Sequence, residues 1–350
     1  ANTTGSQNTA VGQGALDANT TASNNTAIGY GSLGANTTGT ANLSAGHNSM
    51  AVNTTGNYNV ALGMQTLFHN NANSNVAVGH YCLESNTSGA ENVGVGKSAL
   101  DANTTGGDNV AVGVEALFTN TTGSDNVAVG KAALKLSTTA SNNTAIGNAA
   151  LASNTTGTSN TAVGSLALDA ATTADQNTAV GRDALGATTT GNLNVAIGDF
   201  AMNNSTTADR NTVVGSQAMT SYSGDGDNYN TVVGFRACQS TTTASQFTAI
   251  GGDALKSTTT GGDNVAVGYS AGSSLTTGSG NVIAGTAVMT ANVTGSSNVV
   301  IGHRAYRLGN DGSNNVGVGL EVLEDNTANN NTAVGSTAMK ENTSGAENTA

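Results

Sequence analysis

Proline and tryptophan are absent from this 350-residue chain, aromatic side chains make up 3% of it and charged ones 9%. A core built on aromatic packing is therefore excluded, and so is the heavily charged surface of an ordinary enzyme, in which about a quarter of residues carry charge. Two cysteines, Cys82 and Cys238, supply no disulfide framework. No run of 18 apolar residues occurs and no signal peptide opens the chain, so no membrane insertion is expected of it. With 10 basic against 22 acidic residues the formal charge is -12, and no basic run exists to neutralise phosphates. Nucleic acid and anionic lipid are poor partners for such a surface.

What is present is glycine, 47 residues of it, with asparagine, threonine and serine. Disordered chains share that bias but lack regularly spaced Val, Ile and Leu. Here the apolar residues fall in columns. "NTAVGQGALDANTTASN" (8–24) is followed at once by "NTAIGYGSLGANTTGTA" (25–41), and the glycine that ends "AVG" recurs 20 times from Gly12 to Gly335. Of the 19 intervals between these glycines, 16 are 17 residues long, two are 16, and one, from Gly215 to Gly234, is 19 and contains "SGDGDNYN". No interval holds an inserted domain, so residues 1–350 read as a single continuous array with its length variation in turns.

The columns carry the physics. Asn109, Asn126 and Asn143 stand four residues before the glycine, Val112 and Val129 one before it, Leu117 and Leu134 four after it. Between two β-branched positions lies a column that is mostly Ala. Alternating β-branched residues signal a strand, and a strand apolar on both faces is expected to be buried on both. The Val column is expected to fill the interior, leaving the Ala face for a neighbouring chain. The Leu column marks a second, shorter core-facing segment, and "NTTG" closes the unit as a turn. About seven residues between glycine and "NTTG" are too few for a helix. The economical fold is all-β: a parallel β-solenoid, or β-roll, of about 20 coils stacked ~4.8 Å apart. The Asn column should then form a side-chain amide ladder.

The "NTAVGxxALxxNTTG" pattern resembles the "SVAIG"-type repeats in the YadA-like heads of trimeric autotransporter adhesins, and similar repeats in tail-fibre-like proteins of phages and aquatic bacteria. The resemblance covers the whole chain, with a repeat a few residues longer here. It implies a left-handed roll, three chains around a common axis, and an adhesive, non-catalytic role.

Candidate chemistry is sparse. His47, His80 and His303 each follow a repeat glycine in separate coils, and with His69 they form no metal or nucleophile constellation. Asp225 and Asp227 in "GDGDN" are the one acidic pair that invites Ca²⁺, but they lack the alternation and closing Glu of an EF-hand, and a turn insertion is the simpler reading. No cofactor is expected. Cys82 and Cys238 lie nine repeats apart, ~43 Å at the stacking distance, too far to pair. The repeat generates N-x-S/T sequons, among them Asn19, Asn36, Asn53, Asn103, Asn120 and Asn154, which would carry glycans in a glycosylating host. The adjacent threonines of "NTTG" offer at best one outward file, a weak basis for ice binding.

Both ends break mid-repeat, which is expected of a segment of a longer fibre protein. The functional expectation is a structural segment of an extracellular, cell-surface or virion fibre. Its partners would be copies of itself, as a homotrimer or filament, with multivalent contacts to cell-surface glycans or matrix. A homopolymeric, sugar-coated filament is the alternative.

Overall fold

A computed structural model describes residues 2–350. The chain is an all-β parallel solenoid of about 19 turns with a ~17-residue repeat, and no helix occurs among the described residues. It divides into two compact units, 1–176 and 177–350.

In the first unit each coil contributes one three-residue strand, from Thr9–Val11 to Thr161–Val163. Neighbouring strands pair in parallel with identical columns opposed: Val93 with Val110 and Val127, Val95 with Val112 and Val129. β-branched side chains at both ends of the triplet favour this pleated conformation. The ladder is closed by Val110 N–H donating to the Asn126 carbonyl and Gly113 N–H to that of Val95, each at 2.8 Å.

The strand ends at a glycine for a steric reason. Gly113 has φ +142°, and a Cβ there would lie 2.4 Å from the Gly130 carbonyl oxygen of the next coil. The chain then turns through Glu115 (φ 58°) and Leu117 (φ 51°), two non-glycine residues in the left-handed region. The second core-facing segment expected from the Leu column therefore forms no strand. The Leu column is core-facing, but on a turn. Left-handed backbone costs roughly 1–2 kcal/mol per residue. At Leu117 this is offset by full burial of its side chain, worth about 1.5–3 kcal/mol, and by its N–H donating to the Ala133 carbonyl at 3.0 Å.

Which face looks inward differs from the expectation. Ala111, Ala116 and Leu117 are completely buried, whereas Val112 is 36% exposed and Val129 is only half-buried. The interior is lined by the Ala and Leu columns, with Leu134 in the same role, and the Val column belongs to the outside. Space decides this. A Cβ on Gly94, the counterpart of Ala111 one coil earlier, would lie 2.4 Å from Cys82 Sγ and 3.5 Å from Leu83 Cδ1. The middle of the strand thus faces the Ala and Leu columns at close range and has room for little more than a methyl group.

The second unit repeats the plan from Thr178–Val180 to Thr332–Val334. Its 19-residue coil adds a short parallel pair, Ala208–Asp209 with Gly226–Asp227, and buries Tyr222 in the column that holds Asn103 and Asn120 in the first unit. Substitutions there are compensated by size. Gly272 replaces a core leucine, and Ile283 Cδ1 fills the vacated space, 2.9 Å from where a Gly272 Cβ would be.

Candidate interaction surface

Two columns of side-chain amides line the corners of the first unit's coils, the second of them with gaps. In the first, the Asn126 backbone N–H and Nδ2 both donate to Asn109 Oδ1 of the preceding coil at 3.1 Å, and Nδ2 also donates to the Ala140 carbonyl at 2.9 Å. Asn143 binds Asn126 and the Gly157 carbonyl in the same way. These buried amides are thereby shared between coils.

The second ladder is built from the sequon asparagines. Asn120 Nδ2 donates to Asn103 Oδ1 and to the Gly123 carbonyl, both at 2.9 Å, and Asn36 Nδ2 to Asn19 Oδ1 and Asn53 Nδ2 to Asn36 Oδ1 repeat the link. Asn154 donates to the Gly157 carbonyl at 3.0 Å. All six, Asn19, Asn36, Asn53, Asn103, Asn120 and Asn154, are buried. The side-chain nitrogen that would carry sugar is thus turned inward and already bonded. Where the ladder lapses, its acceptors are orphaned: Asn120 Oδ1 and Ser137 Oγ have no partner, as serine is too short to continue the row.

The remaining sequence candidates are dispersed. Thr104 and Thr121 spend their hydroxyls on the carbonyls of Thr121 and Thr138 at 2.9 Å, leaving Thr105, Thr122, Thr139 and Thr156 as the outward file. Asp227 is ion-paired with Arg210, and Asp225 accepts from Thr207 Oγ1. Their carboxylates thus answer protein donors, and no group of three or more His, Cys, Asp or Glu among the described residues is placed to hold a metal. Cys82 and Cys238 are free and buried, and burial pushes the Cys82 thiol up to about 12 and raises that of Cys238.

Two clusters were not legible in the sequence. Glu84 and Asp101 occupy one column a coil apart; burial raises both carboxyls, and the Asp101 charge raises Glu84 further while His69 and His80 oppose it. In the last coils Glu324, almost fully buried, meets Arg307 at 3.0 Å, Lys340 at 3.1 Å and Arg304 at 3.7 Å. Both depend on residues 15 to 20 positions apart sharing one outer column, which requires the coil cross-section to be known.

The outward strand face is the most regular feature. Val95, Val112 and Ile146 are 36–41% exposed, stacked through in-register strands, with half-buried Val93, Val110 and Val127 beside them. No family model matches the chain, and no curated protein matches it significantly. None of the described helices is long and apolar enough to cross a membrane, the described residues containing no helix.

Proposed function

We propose that the chain is a structural, non-catalytic segment of an extracellular, cell-surface or virion fibre, associated with copies of itself through the outward strand face. The observation that carries this reading is the file of β-branched side chains that runs unbroken from Val78 to Val163 on that face of the first unit. A repeated apolar strip is larger than a soluble monomer normally leaves uncovered. Three left-handed chains around a common axis, the arrangement implied by the sequence resemblance, would cover it. The Thr- and Asn-rich turns would then form the outer surface, and adhesive contacts to glycans or matrix would be weak singly and strong by multivalency. Multi-angle light scattering tests association: a stable monomer of 34.2 kDa at all concentrations would reject it. Binding of the assembled protein to glycan and matrix arrays tests adhesion separately, and absence of binding would leave a spacer role alone.

A further inference from the structure

Three consecutive coils of the first unit read "ENVGVGK" (91–97), "DNVAVGV" (108–114) and "DNVAVGK" (125–131). Asn92, Asn109, Asn126 and the Gly94, Ala111, Ala128 column point inward and are buried. Within each strand the two alternate Val residues point out, and the residues just beyond its two ends, Glu91 and Lys97 in the first of these coils, are exposed. Because the strands stack in register, the outer face of these coils has four parallel files. Glu91, Asp108 and Asp125 form an exposed acidic edge. Val93, Val110 and Val127, then Val95, Val112 and Val129, form an apolar centre. Lys97, Val114 and Lys131 form the opposite edge, exposed in all three coils.

The pattern is confined to these coils within the unit. The acidic file is flanked by Ser74 and Asn142, and Asn148 follows Lys131 in the lysine file. It is also unspent. Among the described residues, none of Glu91, Asp108, Asp125, Lys97 or Lys131 forms an ion pair, while the neighbouring Glu115 is held by Lys135 at 2.9 Å. Two of the chain's five lysines, Lys97 and Lys131, thus stand unpaired on one edge of a face whose other edge is acidic, in a chain of formal charge -12.

We propose that this face binds a second copy of the chain, side by side, parallel and in register, with the acidic edge of each copy on the lysine edge of the other. The proposal rests on the self-association put forward above, takes it as a pair rather than the three chains the resemblance implies, and adds its location, direction and register. Direction follows from the charges. When two such faces meet with their chains running the same way, the left edge of one opposes the right edge of the other, so acid meets lysine on both sides of the valine centre. Turning one copy end over end opposes acid to acid and lysine to lysine, which costs free energy. Register follows because a slip of two coils sets Glu91 or Asp125 against the neutral flanks. The valine files supply the desolvated centre and the charges the rim and the specificity.

Edge reversal in the full chain tests this. K97E/K131E makes both edges acidic and E91K/D108K/D125K makes both basic; each should weaken association roughly tenfold or more in sedimentation velocity. The chain carrying all five changes exchanges the two edges and restores complementarity, so it should associate like the parent. A parent that is monomeric throughout would overturn this proposal together with the association it rests on. Association unmoved by either single-edge reversal would overturn this surface alone, as would an exchanged chain that stays apart. Direction is read in chains with unaltered edges. V93C mixed with V95C should form an intermolecular disulfide under mild oxidation, since those files face each other in parallel pairing. V93C cross-linking to V127C instead would show an antiparallel pair and overturn the proposed direction.

Discussion

Cys82 Sγ occupies the point that a Cβ on Gly94 would need, 2.4 Å away. In nine of the 19 equivalent pairs both positions are alanine, as at Ala116 and Ala128, so the larger sulfur in one column is matched by a missing methyl in the other. Gly94→Ala should therefore destabilise the protein by about 1–3 kcal/mol through overpacking. Adding Cys82→Ala should recover that loss, since the pair then reproduces the common coil. Chemical denaturation of the two single variants and the double variant closes the cycle, and strict additivity would show that the two residues do not share one space.

Inside and outside of the strand are separated by a pair of charge insertions. Leu117→Asp places a carboxylate in a fully buried site and should cost about 3–5 kcal/mol. Val112→Asp, on the outer face, should cost about 1 kcal/mol or less in the separated chain and act mainly on association. Melting temperatures at a concentration where the chain is dissociated distinguish the two; equal losses would return the Val column to the core.

Replacing Asn109, Asn126 and Asn143 together by Ala removes the side chains that bind one another and the carbonyls of Gly123, Ala140 and Gly157. Each site leaves buried polar groups unpaired, at about 1–3 kcal/mol. The triple replacement of exposed Thr105, Thr122 and Thr139 by Ala should leave the midpoint near that of the parent. Similar melting of both triple variants would reduce the ladder to a turn preference.

The Glu84 and Asp101 carboxyls are both raised, by burial first, with Asp101 adding to Glu84. A carboxyl whose folded value lies above its unfolded one favours the folded state most when protonated, and that contribution fades as pH rises through the raised value. Asp101→Asn should accordingly stabilise the chain near neutral pH and make little difference in acid. Thermal midpoints from pH 3 to 8 check it; a gap that widens toward low pH would contradict the sign.

Periodicity alone made the solenoid legible. A 17-residue unit with fixed Asn, Val, Gly and Leu columns, too short for a helix, leaves parallel stacking as the way to bury its few apolar side chains, and the in-register pairing of Val93, Val110 and Val127 follows from it. Leu117 and Leu134 could be placed in the core from their spacing, because no other large apolar residue recurs in that half of the unit. The strand was different. Both of its faces are apolar, and a period of two separates the faces without saying which one turns in. That choice came from the width of the interior: Leu83 and Cys82 crowd the middle of the neighbouring strand, so Ala fits there and Val112 is left outside. The sequons had the same ambiguity. "NTT" reads as an exposed turn, yet Asn120 is drawn in because the Gly123 carbonyl and the Asn103 amide need its side chain more than water does.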